Sequence, residues 1–325
     1  MHIKNNLKGL IYMSILNDIL GIFNRKRPSS EIISNYLKVE TSANCNARCV
    51  WCWMFKSENK PAGLMKLDNF NRFIDLNKDY FRAHNTGIMP FFNGECLIHP
   101  EIFAILDNIV KNKIKLMDLD TNFGVKIDIA KLMSYPFKHI RVNIGGITKD
   151  VHEHTMKTDF DLVISNLKKA LKINCKRIYV KMVMTKDNFK QKDQLGDFVK
   201  DLGGMPEHAI IAPTNFTAPT LASNEQKKAY FDDVVSSEID EYLKFDYDLQ
   251  KPGYDIRSRE NCCKYMLNCV RSDGSFTICS QDQLGQLNLG NAFEVPVIDL
   301  VTSPKYKIAL EKAKNMGFDF CRECN

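Results

Sequence analysis

The run Leu37-Lys38-Val39-Glu40-Thr41-Ser42-Ala43-Asn44-Cys45-Asn46-Ala47-Arg48-Cys49-Val50-Trp51-Cys52 joins a strand pattern to three closely spaced cysteines. Val39 sits between Lys38 and Glu40, the period-two rhythm of a strand with one polar face. Three thiolates on so short a loop hold three irons of a four-iron cube, where a complete set uses four. The fourth iron is left open to a ligand that the protein does not supply, so the loop is a place for chemistry rather than electron storage. Two plainer readings stand beside this one. Zinc loops pair cysteines and need a fourth ligand nearby, and the nearest downstream histidine is His84. A disulfide would leave an odd cysteine over.

Moving outward, strand patterns recur six times, at 37–42, 89–94, 115–121, 139–145, 177–185 and 208–213. Between them lie helical patterns such as 100–110, 160–173 and 191–202, with apolar residues three and four apart. Strand–helix alternation predicts parallel strands with helices outside. The fold class expected is therefore α/β, a partial (β/α)6 barrel, followed by a small cysteine-rich C-terminal domain that contains a β-hairpin. The boundaries read from the pattern are an N-terminal helical extension at 1–36, the barrel at 37–214, a polar connector at 215–260 with a helix at 224–237, and the cysteine-rich domain at 261–325.

The strands also sort their side chains. One parity gives Lys38, Glu40 and Ser42; Asn93 and Glu95; Asp118, Asp120 and Asn122; Arg141 and Asn143; Tyr179 and Lys181. The other gives Val39, Leu119, Ile140, Val142, Ile144, Ile178, Val180 and Met182. Parallel strands covered on both faces read as continuous apolar runs, so the polar set is expected to line a lumen. A barrel packed solid has no such lining, whereas a cavity for a charged ligand needs one. The plainer reading is that these groups only pair with each other.

The cysteine loop, with Trp51 just before its last cysteine, resembles the signature loop of the radical S-adenosylmethionine (SAM) enzymes. In that family the amino and carboxylate groups of SAM chelate the open iron of a [4Fe–4S] cluster. An electron from the cluster then cleaves the sulfonium and releases a 5′-deoxyadenosyl radical. The resemblance implies cluster ligation by Cys45, Cys49 and Cys52 and a cofactor contact at Trp51. Asn93-Gly94-Glu95 is similar to the Gly-Gly-Glu segment that holds SAM's amino group, with Asn93 in place of the first glycine and Cys96 where a proline is common. Thr121-Asn122 resembles a Thr-Asn-Gly segment, although Phe123 precedes Gly124. Asn143-Ile144-Gly145-Gly146 stands where many relatives have Ser-Ile-Asp-Gly, which leaves Asn143 as the candidate for the ribose.

Eleven cysteines is a high count, and nine fall in two tight groups, 45–52 and 262–324, a metal-site distribution rather than a secreted disulfide scaffold. Between Cys263 and Cys279 the run Ser272-Asp273-Gly274-Ser275-Phe276-Thr277-Ile278 carries an Asp-Gly hairpin signal. This tail resembles the SPASM/twitch extension of radical SAM enzymes, in which a cysteine precedes Gly-x-x-x-x-Cys by about ten residues. Cys262 or Cys263, Gly274 and Cys279 fit that rule. The resemblance implies one auxiliary [4Fe–4S] cluster with four ligands drawn from Cys263, Cys269, Cys279, Cys321 and Cys324. A four-cysteine zinc site is the alternative. Cys175 reads as a small buried residue. Cys96 reads either as a core residue or as a hydrogen-atom donor of the kind epimerases in the family require.

Reduced thiolates point to a cytoplasmic protein. The stretch 7–23 is broken by Lys8, Asn17 and Asp18, so it should not span a bilayer; a packed N-terminal helix and contact with a membrane surface are its two readings. A net charge of +6 without aromatic interleaving gives no nucleic-acid groove. The expected substrate is a small or carbohydrate-type molecule to be oxidised, with Asp118, Asp120, Tyr179 and Lys181 for proton transfer or hydroxyl binding. Close beside it stands a ribosomally made peptide. The implied electron donor is a flavodoxin- or ferredoxin-type reductant. From a different class, a non-catalytic iron–sulfur or zinc protein would also carry these cysteines.

Overall fold

The computed structural model describes residues 36–52, 54, 61–212, 234, 268–315, 317, 318 and 321. The expected extension at 1–36 (Tyr36 excepted), the stretch 7–23, the connector and its helix apart from Val234, and Cys262, Cys263 and Cys324 lie outside the described residues.

Seven parallel strands form the wall: β1 Tyr36–Val39, β2 Gly87–Met89, β3 Lys115–Leu116, β4 Asp118–Thr121, β5 His139–Ile144, β6 Ile178–Val183 and β7 Ala209–Ala212. β1 to β3 pair in one sheet and β4 to β7 in another. The single strand expected at 115–121 is thus split at Met117. That residue donates its N–H to Ile88 O at 2.9 Å and accepts from Lys138 N–H at 3.0 Å, so it serves both sheets and the wall runs on across the break. Gly87 makes the crossing possible, because a Cβ there would lie 2.3 Å from Met117 Cγ. The strand expected at 89–94 instead ends at Met89. Pro90 has no N–H to continue the ladder, and the following residues turn onto the cysteine loop.

Outside the wall lie α1 Leu67–Ala83, α2 Ile102–Lys111, α3 Ile129–Ser134, α4 Lys149–Met156, α5 Phe160–Asn174 and α6 Leu195–Asp201. α5 starts where Asp159 accepts a hydrogen bond from Leu162 N–H at 3.1 Å, satisfying one of the first-turn donors. The helix expected at 191–202 is shorter, since Phe189–Gln194 adopts the tighter 3-10 form first. Among the described residues no helix is long and apolar enough to cross a membrane.

The two parities of the strands separate as expected. Val39, Leu119, Ile140, Val142, Ile144, Val180 and Met182 are wholly buried under the helices, each contributing about 1.5–3 kcal/mol if fully removed from water. Arg141, Asn143, Tyr179 and Lys181 alternate with them and are only half-buried. They face the lumen.

The tail adds a hairpin, β8 Cys269–Val270 and β9 Phe276–Thr277, turning at Asp273-Gly274. β8 pairs parallel with β1, Lys38 opposite Cys269, and so extends the wall beyond its first strand. Two helices follow, α7 Val297–Thr302 and α8 Pro304–Lys314. Val297 N–H donates to the buried Asn77 Oδ1 of α1 at 2.7 Å, fastening the tail to the helical layer.

Candidate active site

The cysteine loop leaves β1 at the carboxyl end of the barrel and is pinned through its backbone. Ala43 N–H donates to Gly63 O at 2.9 Å, Arg48 N–H to Met156 O at 2.9 Å, and Val50 N–H to Thr155 O at 2.8 Å. The last two acceptors are carbonyls at the end of α4, which have no partner within the helix. α4 is in turn seated on Gly145, where a Cβ would lie 1.9 Å from Thr155 Oγ1. His152 locks the seat: its Nδ1 accepts from Gly145 N–H at 3.2 Å and its Nε2 meets Thr158 Oγ1 at 2.9 Å. Burial lowers this imidazole to about 4, so it stays neutral and Nε2 carries the proton.

Burial pushes the Cys45 thiol up to about 12 and Cys49 upward as well, and the nearness of the three sulfurs to one another adds to both. Thiolates crowded this way need positive charge, which a bound metal cluster supplies. Among the described residues no three such side chains converge on a single-ion site. Asn122 ties the loop to β4: its Nδ2 donates to Cys45 Sγ at 3.8 Å and to Asn46 Oδ1 at 3.0 Å, while Asn46 Nδ2 donates to Gly124 O at 2.7 Å. Trp51 stands half-buried in the same loop.

Asn93-Gly94-Glu95 lies directly against this loop. Glu95 N–H donates to Asn44 O at 2.9 Å. A Cβ on Gly94 would fall 2.3 Å from Asn44 O and 2.5 Å from Ser42 O, both backbone atoms. Glu95 is buried; Oε1 accepts from Thr121 Oγ1 at 2.9 Å and Leu97 N–H at 3.1 Å, and Oε2 accepts from Asn122 N–H at 2.7 Å. Burial raises its carboxyl to about 7 against the pull of those donors. A carboxyl poised at neutrality gains a proton-free state when a cation arrives. Asn143 Nδ2 donates to Thr121 O at 3.3 Å, whereas its Oδ1 is buried with no donor among the described residues. That acceptor is an unmet demand of the kind a ligand hydroxyl answers. Cys96 is buried, its Sγ 3.9 Å from Glu95 Oε1. Cys175 is half-buried rather than fully enclosed.

The lumen residues expected for catalysis fall at two depths. Asp118 and Tyr179 belong to the floor: Asp118 meets His139 Nδ1 at 3.1 Å and Arg141 Nη1 at 2.6 Å, and Tyr179 stacks on His208 with centroids 4.0 Å apart. Asp120 and Lys181 lie above them. Asp120 takes two bonds from Arg141, at 2.9 and 3.2 Å, with Lys181 Nζ at 3.6 Å. Burial would raise the Asp120 carboxyl, yet Arg141, Lys181 and Lys38 around it hold it well below the usual carboxylate range.

Sequence reasoning left out a clasp between the tail and the site. Glu40 Oε1 accepts from Asn93 N–H at 3.3 Å and its Oε2 from Ser272 N–H at 3.1 Å. Asn93 Nδ2 donates to Gln283 O at 3.2 Å, so the residue standing where relatives have glycine uses its side chain to hold the tail. Arg271 and Asp282 form a buried ion pair at 3.2 Å, and the guanidinium lies over Phe92 at 5.4 Å. Of the tail cysteines that are described, Cys269 and Cys321 are buried and Cys279 is half-buried. Burial raises the Cys269 thiol to about 12 despite Lys38 and Arg271 nearby.

A family model described as "Radical SAM superfamily" matches residues 39–199, from β1 through α6. The chain belongs to the radical SAM superfamily. Membership implies a [4Fe–4S] cluster and SAM, and the thiols, Glu95 and Asn143 fit those groups on the geometry above. The chain is 27% identical over 211 residues to a GTP 3′,8-cyclase of Clostridium botulinum, covering 63% of this radical SAM chain and 62% of the relative's length. It is 21% identical over 331 residues to a tungsten-containing aldehyde ferredoxin oxidoreductase cofactor-modifying protein of Pyrococcus furiosus, covering 89% and 87%. Among solved structures it resembles Streptococcus suis SuiB bound to precursor peptide SuiA, with a TM-score of 0.60, 16% identity, and 85% and 66% of the two chains covered. It also resembles anSMEcpe with bound AdoMet, with a TM-score of 0.57, 18% identity, and 84% and 82% covered.

Proposed function

We propose that this radical SAM protein is an enzyme that cleaves SAM reductively and removes a hydrogen atom from a polar small molecule held in the lumen, with net oxidation as the outcome. Supporting this most directly is one convergence: three crowded thiols, the buried Glu95 carboxyl and the unmet Asn143 acceptor stand at the same end of the barrel. The bound cluster and SAM together supply a 5′-deoxyadenosyl radical. The chain's own residues bind and orient. Cys45, Cys49 and Cys52 hold the irons. Glu95 receives the ammonium of SAM, Gly94 permits its close approach, and Asn143 accepts from a ribose hydroxyl. Asn122 keeps Cys45 in place, and Trp51 borders the cofactor. Arg141 keeps Asp120 ionised, so Asp120 serves as an acceptor for substrate hydroxyls.

In the tail, Cys269, Cys279 and Cys321, with Cys263 and Cys324, are assigned to an auxiliary [4Fe–4S] cluster that takes the second electron. On this reading residues 37–214 are the catalytic unit, 215–260 the connector and 261–325 the auxiliary unit, and a cytoplasmic flavodoxin or ferredoxin is the reductant. A peptide substrate is the second reading, since SuiB, bound to precursor peptide SuiA, shares the fold.

The test is anaerobic reconstitution with iron and sulfide, then reduction with SAM present and assay of 5′-deoxyadenosine. Wild type is compared with Cys45→Ala/Cys49→Ala/Cys52→Ala. Deoxyadenosine from wild type alone is expected, with iron retained by the triple variant reporting the auxiliary cluster. Absence of both SAM cleavage and SAM binding in reconstituted wild type would sink the enzyme reading.

A further inference from the structure

We infer that the lumen contains a subsite for an oxyanion of the substrate, built from Lys38 and Lys181; this rests on the proposed radical SAM reaction and narrows its substrate to an anionic molecule. Lys38 is the third residue of β1, in register between Met89 of β2 and Cys269 of β8, and it belongs to the polar parity that faces inward. Its ammonium lies 5.5 Å from the ring centre of Phe91 and 5.7 Å from that of Phe92. No described carboxylate stands within ion-pair distance of it. Lys181, on β6, reaches only to 3.6 Å from Asp120 Oδ1, longer than a close charged hydrogen bond.

The acids nearby are already engaged. Asp120 accepts two bonds from Arg141, and Asp118 is met by Arg141 and His139. Glu40 accepts from Ser272 and Asn93, Asp282 pairs with Arg271, and Glu95 accepts from Thr121, Asn122 and Leu97. What remains among the described residues is Lys38, which burial pulls toward its neutral form with Cys269 and Asp120 as its acidic neighbours, and Lys181, which shares Asp120 with the nearer Arg141. The ends of Lys181 and Asp120 remain accessible, since their side chains retain 23% and 22% of their exposure although strands flank both. An oxyanion seated between the two lysines gives each a full partner. Lysine binds phosphate or carboxylate as a compact point charge, so the chemistry shared by those two groups is the assignment.

The experiment titrates the reconstituted full chain calorimetrically with inorganic phosphate and, separately, with succinate. Wild type is run beside Lys38→Met and Lys181→Met, with Lys38→Arg and Lys181→Arg as charge-keeping partners. Binding of at least one probe to wild type is expected, weakened about tenfold or more in each methionine variant, the equivalent of about 1.4 kcal/mol, and kept in the arginine variants. Phosphate alone names a phosphorylated substrate, succinate alone a carboxylate one, and both an oxyanion site of either kind. Iron content and SAM binding of each variant report whether it has folded; if a methionine variant fails there, the arginine variant of that lysine must still bind the probe. No binding by wild type, or equal binding by folded methionine variants, overturns the subsite. SAM cleavage and SAM binding are assayed in parallel: cleavage without anion binding sinks the subsite alone, and anion binding with neither SAM cleavage nor SAM binding sinks the enzyme reading alone.

Discussion

Backbone hydrogen bonds hold the loop of Cys45, Cys49 and Cys52, through Ala43, Arg48 and Val50, onto the carbonyls of Gly63, Met156 and Thr155. The tail that carries Cys269 is held differently. There, beside the backbone bonds of the β8–β1 pairing, Glu40 and Asn93 reach from barrel to tail with polar side chains, and the buried Arg271–Asp282 pair within the tail sets its guanidinium over Phe92. Both regions use backbone bonds, but the loop adds close neutral packing at Gly94 and Gly145, whereas the tail adds buried charge. A site held by shape should fail on added volume, and one held by charge should fail on a lost counter-ion.

Arg271→Met is the strongest test of that contrast. It leaves Asp282 and Glu40 buried without their cation, a loss expected to cost about 3–5 kcal/mol of stability, read as a lowered denaturant midpoint. Arg271→Met/Asp282→Asn should recover part of it, because asparagine removes the orphaned charge and keeps an acceptor for Thr277, Gln286 and Leu287. If Arg271→Met also strips iron from the Cys45–Cys52 loop, the two regions are not held independently.

Gly94→Ala attacks the loop by shape. Its methyl would press on Asn44 O and Ser42 O, and about a hundredfold loss of SAM cleavage is expected from the displaced geometry. Auxiliary iron should remain. Normal cleavage by the alanine variant would break the comparison.

A third prediction uses the Glu95 carboxyl, raised by burial to about 7. Below that pH it is protonated, and an arriving ammonium must expel the proton. SAM affinity should therefore rise roughly tenfold between pH 6 and pH 8 and stay level in Glu95→Gln. The sign for folding is opposite. Between the ordinary value of 4.5 and about 7 the SAM-free fold holds the extra proton, so Glu95 makes it less stable as pH climbs through that window.

The smallest effect belongs to Asn93→Gly, which removes one bond to Gln283 O. About 0.5–1.5 kcal/mol of tail docking is expected to go, seen as faster proteolysis of the tail, with SAM binding kept. Loss of SAM binding would move Asn93 from the clasp to the cofactor.

The wall of the barrel was legible because a strand's face repeats every two residues, and Ile140, Val142, Ile144, Val180 and Met182 keep that beat to full burial. Period two gives the face but not the depth. Asp118 and Tyr179 therefore read like Asp120 and Lys181, although they lie at the floor against His139 and His208. β2 was misplaced because Gly87 lowers the strand signal, and its reason for being there is Met117, thirty residues on. α1 was not singled out, although Phe70, Phe73, Ile74 and Phe81 bury one face of it. Phe123 shows a local rule overridden: its backbone is left-handed, φ 53°, where the Thr-Asn-Gly pattern has glycine, and full burial of its ring offsets a strain of about 1–2 kcal/mol. The clasp was invisible for another reason. Nothing local in Glu40 or Arg271 announces a partner from the far end of the chain.

The pairing of β8 on β1 has a consequence in time. Glu40 and Ser272 lie 232 residues apart in sequence, so the outer edge of the first described strand stays bare while the rest of the barrel is made. At about 5–20 residues per second, the ribosome leaves that edge uncovered for roughly ten to fifty seconds. A bare strand edge is a template for joining other chains, and pairings this distant are slow to form. Newly made chains should therefore depend on chaperones most heavily in that interval, and products terminated before the hairpin should aggregate even with every barrel strand complete.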